Sequence, residues 1–185
     1  MRIIAGEKRG CTFEAPERRD TRPTLDRVRE AIFGMIQFDI AGSFVLDLFA
    51  GSGAMGLEAL SRYAESAVFC DRSRPVAQLI ERNLGKLGFS QRGRVHCCEY
   101  TQAIAACARA GCGFDIVFLD PPYEYGLIEP AINTMAESGV LNEGCLIVAE
   151  YAAALPPAIP GGFRERSVKR YGEVGVSIIV KDVEA

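Results

Sequence analysis

Ten residues, Asp47-Leu48-Phe49-Ala50-Gly51-Ser52-Gly53-Ala54-Met55-Gly56, restrict what this chain can fold into more than any other segment. They overlap the short apolar run Phe44–Phe49, carry G-x-G-x-x-G at Gly51, Gly53 and Gly56, and open a helix-like stretch that reaches Leu60. A strand ending in a glycine turn that leads straight into a helix is the first half of a βαβ unit, which commits the chain to a parallel sheet. Missing side chains let a ligand approach the backbone of the turn. Asp71, twenty residues after Gly51, ends the next strand, where a carboxylate can accept hydrogen bonds from vicinal ribose hydroxyls. The pattern points to an adenosine-type cofactor and leaves a nicotinamide dinucleotide open. Asp47, four residues before Gly51, would repel a pyrophosphate but suits a cofactor bearing an ammonium and a sulfonium. The blander readings are a tightly packed turn for the glycines and a solvated strand end for Asp71.

The rest of the chain repeats the alternation. Strands are expected at Ala67–Asp71, Arg94–Cys98, Phe114–Asp120 and Cys145–Glu150. Between them, Val76, Leu79, Ile80, Asn83, Leu84 and Leu87 recur at helical spacing, with Ser73 as N-cap, Pro75 in the first turn and Gly88 as C-cap. Further helices are read from Thr101 to Ala110 and from Leu127 to Ala136. Phe163–Tyr171 and Val174–Val180, parted by Gly172-Glu173, read as an antiparallel hairpin at the sheet edge. In front, Thr24–Ile36 forms one amphipathic helix behind a short arginine-rich arm or hairpin. These elements predict an α/β doubly wound, mainly parallel sheet with an antiparallel C-terminal hairpin and a short N-terminal extension. One domain over 1–185 is expected, divided into an extension and helix over 1–36 and a core over 37–185.

Composition narrows the class. With 49% apolar residues in 185 and a net charge of −3, the chain can bury a core and does not resemble a disordered one. The longest run without a charge, Tyr151–Phe163, spans 13 residues with three prolines, well short of a membrane helix. The start, Met1-Arg2-Ile3-Ile4-Ala5-Gly6, lacks the apolar stretch of a signal peptide, so a cytoplasmic protein is expected. Seven cysteines without a C-x-x-C pair, and one histidine, His96, make a metal site a poor reading. His96 beside Cys97 and Cys98 lies in a strand, and burial is expected there rather than a Cys–His nucleophile.

The second chemical motif is Asp120-Pro121-Pro122-Tyr123, directly after an apolar strand and so at the carboxyl edge of the sheet. Two prolines stiffen the backbone and remove two N–H donors, leaving carbonyl oxygens to face a ligand. A carboxylate, rigid carbonyls and an aromatic face make a receptor for a planar group carrying an NH₂. The exocyclic amine of a base is a poor nucleophile because its lone pair is delocalised into the ring. Acceptors on both N–H groups favour a more tetrahedral nitrogen, and Tyr123 can stack on the ring.

On these residues the chain resembles a known family. Asp47–Gly53 resembles motif I of class I S-adenosylmethionine-dependent methyltransferases with a Rossmann-like fold, and Asp120–Tyr123 the D-P-P-Y of amino-methyltransferases. Met1–Gly6, Thr21-Arg22-Pro23-Thr24, Asp26–Ala31, Gly56–Arg62 and Tyr171-Gly172 are further similar to the RsmD family, which methylates N2 of a guanine in bacterial small-subunit (16S) ribosomal RNA. The chain departs from the family pattern at Gly34, where Asn is usual, at Asp71, where Glu is commoner, and at Glu99, where Asp is usual. The resemblance implies that Asp47, Gly51 and Gly53 surround the methionine part of S-adenosylmethionine and that Phe49 and Ser52 also contribute to binding the cofactor. It also implies that Asp71 binds the ribose hydroxyls with Arg72 as a further cofactor contact, that Glu99 or the backbone at Tyr100 meets the adenine, and that Asp120, Pro121, Pro122 and Tyr123 hold the target guanine. Neither metal nor covalent intermediate is implied.

Residues 1–30 carry eight Lys/Arg against six Asp/Glu, while the remainder carries 13 against 18. This modest asymmetry puts phosphate contacts at the front, with Arg22 and Arg27 as candidates, and Arg166, Lys169 and Arg170 form a second cluster. The target base must be unpaired or flipped to enter. The expected partner is ribosomal RNA or the small ribosomal subunit, with the chain acting as a monomer. Three other readings stand beside this one: an N6-adenine methyltransferase on DNA or RNA, an NAD-dependent oxidoreductase, and a non-catalytic RNA-binding assembly factor. The short chain argues against the DNA enzyme, which needs an added recognition domain.

Overall fold

The computed structural model describes residues 1–16 and 23–183. Among the described residues, seven strands form one sheet: β1 (Phe44–Asp47), β2 (Ser66–Cys70), β3 (Gly93–His96), β4 (Phe114–Leu119), β5 (Leu141–Ala152), β6 (Phe163–Tyr171) and β7 (Val174–Lys181). Five α-helices accompany them among the described residues: α1 (Pro23–Met35), α2 (Ala54–Ser61), α3 (Arg74–Leu87), α4 (Tyr100–Arg109) and α5 (Ile128–Glu137). The strand order is β3-β2-β1-β4-β5-β7-β6, parallel from β3 to β5 and antiparallel for β7 and β6. The doubly wound α/β sheet with its antiparallel hairpin is therefore present. The order reverses between β1 and β4, and that switch point is where open sheets of this kind bind ligands.

Alternation along each strand sends side chains to two helical layers. Val45, Phe69, Ile116 and Phe118 pack with α1, α2, α3 and the N-terminal arm. Leu46, Val68, Val117 and Leu119 pack with α4 and α5. Burial on both faces is why these strands read as unbroken apolar runs. The hairpin adds a detail that its place in the chain hid. The later strand, β7, enters the sheet beside β5 and is buried nearly throughout, while the charged β6 takes the edge. Val174–Val180 has the continuous apolar character of an inner strand, and the arginines and lysine of β6 protect an exposed edge.

Two local expectations change. His96 and Cys98 are half-buried and Cys97 is exposed, because β3 is the opposite edge strand. Ser73 stands at the start of α3 without a side-chain cap. Its own N–H instead donates to Asp71 Oδ1 at 2.8 Å. Gly88 does cap α3, with φ +76°.

The arm is a small hairpin in which Met1 and Phe13 exchange backbone bonds. It is locked to α2 by Glu58, a fully buried carboxylate that accepts from the N–H groups of Ile4 (2.8 Å) and Ala5 (3.0 Å) and from Arg62 Nε (2.8 Å). Asn83 of α3 ties the same arm down, exchanging two bonds with the backbone of Glu14.

Candidate active site

The residues singled out from the sequence converge at the carboxyl edge, because each terminates a parallel strand or begins the turn after it. Asp47 closes β1, Asp71 follows β2, Glu99 follows β3 and Asp120 follows β4. As β1 lies between β2 and β4, the glycine turn and Asp120-Pro121-Pro122-Tyr123 are neighbours across the switch point.

Asp47 is buried, and its Oδ2 accepts the N–H of Gly56 at 3.0 Å. It thereby satisfies one of the open donors at the start of α2. Burial is the main cause that pushes its carboxyl from the ordinary 3.8 up to about 7, with the Gly56 bond pulling the other way and the Asp71 charge adding to the rise. Gly56 tolerates no side chain, since a Cβ there would run into the ring of Phe69. At Gly51, by contrast, a Cβ would meet nothing within 4 Å, so this part of the turn faces open space.

Asp71 fastens the turn from the other side. Its Oδ2 accepts the Gly51 N–H at 3.1 Å while Oδ1 accepts from Ser73. Each oxygen keeps a second lone pair, so the carboxylate can still receive a hydroxyl. Arg72 and Glu99 reach toward each other at 3.7 Å from the ends of β2 and β3, both well exposed and so contributing little to stability. Phe49 and Tyr100 bring their rings to 5.5 Å at 45°, a half-buried aromatic pair beside the turn.

This donor set fits an adenosyl cofactor with a cationic centre. Asp47, Asp71, Glu99 and Asp120 gather at one edge with Arg72 as the cation among them. The N–H groups of Gly51 and Gly56, which would cradle a pyrophosphate at a helix N-terminus, are already taken by the carboxylates of Asp71 and Asp47. A dinucleotide would displace one or both.

At the second motif, Asp120 is exposed, Pro121 buried, and Tyr123 begins a 3₁₀ turn, Tyr123–Tyr125, with its side chain 39% exposed. The Tyr123 hydroxyl donates to Glu150 Oε1 at 3.1 Å. Burial first, and then the charges of Glu150 and Asp120, push the phenol well above its ordinary range, so it stays a donor. Burial likewise raises the carboxyl of Glu150. Glu150 was not among the expected site residues, although the sequence shows its signal: an acid in the last turns of an apolar strand, like Asp71 and Asp120. A pocket of about 320 Å³ flanks the tetrapeptide, walled by Pro121, Pro122 and Tyr123 on one side and Leu155, Pro156 and Pro157 on the other.

Arg27 is exposed on α1, while Arg22 lies outside the described residues. Arg166 pairs with Asp39 at 3.2 Å, and Lys169 and Arg170 are exposed on β6. Among the described residues, no cluster of three His, Cys, Asp or Glu side chains could hold a metal ion, and no helix is long and apolar enough to cross a membrane.

A profile described as Conserved hypothetical protein 95 matches residues 1–180. The ribosomal RNA small subunit methyltransferase D of Escherichia coli (strain K12) is 36% identical over 185 residues, covering 100% of this chain and 91% of its own length. YlbH of Bacillus subtilis (strain 168) is 37% identical over 182 residues, 98% of this chain and 99% of its own. The solved structure of yhhF from Escherichia coli superposes with a TM-score of 0.88 at 36% identity, covering 100% of this chain and 99% of that one.

Proposed function

The chain belongs to the RsmD family, matched over residues 1–180, and on that premise we propose that it transfers a methyl group from S-adenosylmethionine to the exocyclic N2 of a guanine in small-subunit (16S) ribosomal RNA. The observation that carries this reading is the adjacency of Asp120-Pro121-Pro122-Tyr123 to a glycine turn whose Gly51 and Gly56 N–H groups are already taken by carboxylates. Asp47 and the Gly51–Gly53 turn would hold the methionine end of the cofactor, Asp71 the ribose, and Glu99 with the Phe49–Tyr100 pair the adenine. When bound, S-adenosylmethionine supplies an electrophilic methyl carbon on a sulfonium.

Asp120 and the Pro121 carbonyl accept from the two N–H groups of the target amine. They draw its nitrogen toward a tetrahedral shape and free the lone pair that is otherwise spread into the ring. Asp120 is also the acceptor for the proton that this nitrogen sheds. Tyr123, anchored by Glu150, holds the ring face. The cofactor turn and the amine receptor form one unit, and the exposed arginine of α1, Arg27, together with Arg22, binds the RNA backbone. Such a substrate places the protein in the cytoplasm.

Labelled methyl transfer to small subunits lacking the modification, followed by nucleoside mass analysis, tests the reading. N2-methylguanosine is expected, and Asp120→Ala should lower the rate about a thousandfold, the scale of losing a transition-state acceptor, while S-adenosylhomocysteine binding persists. N6-methyladenosine would overturn the choice of base. Full activity in Asp120→Ala would overturn the mechanism.

A further inference from the structure

Glu150 ends the inner part of β5, one strand over from Asp120. The parallel register pairs Leu119 with Ala149, so Asp120, just past β4, and Glu150, still within β5 opposite Val176 of β7, occupy neighbouring positions at the carboxyl edge. The bond from Tyr123 to Glu150 Oε1 brings this second carboxyl against the side chain that holds the target ring. Glu150 is half-buried, and among the described residues no lysine or arginine forms an ion pair with it. One neutral phenol is thin compensation for a carboxylate drawn out of water, so the site gains from a further donor.

Of the four RNA bases, guanine alone carries two adjacent donor positions on its Watson–Crick edge, the N1–H and the N2 amine. Adenine and cytosine place a lone pair beside their amine, and uracil has a single N–H between two carbonyls. Two carboxyls side by side match guanine and oppose the others. Resting on the guanine-N2 reading above, we propose that Glu150 determines the base specificity of the site, its carboxylate accepting the guanine N1–H while Asp120 takes the neighbouring N2 amine. Adenine would turn its N1 lone pair against Glu150 and leave the half-buried carboxylate with the Tyr123 hydroxyl alone, a mismatch that hydrogen-bonding sites reject strongly.

The test uses 2,6-diaminopurine, which keeps the 2-amine but has a lone pair at N1. Once the methylated position is mapped, small subunits are reconstituted on 16S rRNA carrying either guanine or 2,6-diaminopurine there, and kcat/KM is measured for both. The wild-type protein should prefer guanine by at least about thirtyfold, on the scale by which such sites discriminate. Glu150→Gln, whose amide can donate to the N1 lone pair, should bring the ratio within about threefold of unity or invert it. Tyr123→Phe should leave the ratio as in the wild type even where it slows both reactions. Because each ratio is taken within one preparation, partial misfolding of a variant does not alter it.

A ratio in Glu150→Gln equal to that of the wild type would overturn the proposal. So would Tyr123→Phe shifting the ratio as far as Glu150→Gln does, because Glu150 would then act only by positioning Tyr123. A wild-type protein that methylates no guanine would overturn the underlying reading and this proposal with it, an outcome distinct from methylation without discrimination.

Discussion

Replacing Asp47 by Asn isolates the cost of a buried charge beneath the glycine turn. Burial moves this carboxyl from an ordinary 3.8 to about 7. The folded state therefore keeps a proton that the unfolded chain gives up between those values, so stability falls as pH rises through that window, and the loss is complete above about pH 7. Three pH units of displacement correspond to on the order of 4 kcal/mol. Asn is uncharged at every pH, and its side-chain oxygen can still accept the Gly56 N–H that Asp47 accepts at 3.0 Å. Its new NH₂ group, buried beside the turn, costs about 1–3 kcal/mol where it lacks a partner, but that cost does not depend on pH. Without cofactor, the melting temperature of Asp47→Asn should thus gain on the wild type by roughly 10 °C between pH 4 and pH 8.5 in a chain of this length. Calorimetric or fluorescence melts of both proteins across that range measure the swing. A difference that stays constant with pH would show that Asp47 is ionised throughout, refuting the argument from burial. Affinity for S-adenosylmethionine should move in the opposite sense. A bound cation favours the charged carboxylate, so affinity of the wild type rises with pH through about 7, while that of Asp47→Asn stays flat.

Glu58→Gln removes the charge that holds Ile4, Ala5 and Arg62 together in a buried place; a loss of about 3–5 kcal/mol is expected, read as a lower melting temperature and as earlier proteolytic release of the arm. Gly56→Ala forces a methyl against Phe69 and should cost about 1–3 kcal/mol, with weaker cofactor binding because α2 must shift away from the turn; unchanged binding and stability would mean that the contact yields freely. Arg27→Ala should weaken RNA binding evenly across sequences and reduce the slope of log affinity against log salt by about one, whereas an unchanged slope would remove Arg27 from the RNA surface.

How much was legible beforehand follows the range of the physics involved. The glycine turn, Asp71 and the stripe on α3 depend on neighbours within one strand–turn–helix unit, so spacing along the chain reveals them. The D-P-P-Y motif is equally local, since two prolines after an apolar strand set their own backbone. His96 reads as buried from its sequence because an apolar neighbour looks the same in an inner strand and in an edge strand. Only the strand order leaves it half-buried. The same blindness hid that β7, last in the chain, lies inside β6.

Burial belongs to the tertiary structure for the same reason. Asp47 and Asp71 are the same residue type at similar places. One is sealed under α2, and the other, partly open, is tied to the backbone of Gly51 and Ser73. Glu58, Arg62 and the arm meet across more than fifty residues of chain, a distance over which no periodicity carries a signal. Glu150 meets Tyr123 only because β4 and β5 pair in one register. The chain by itself determined the alternation of strand and helix, the glycine turn after β1 and the proline-stiffened corner after β4, because those rest on local backbone geometry. Folding decided which acids are buried, which strand is the edge and which two carboxyls stand side by side, because each of these depends on contacts between segments far apart in sequence.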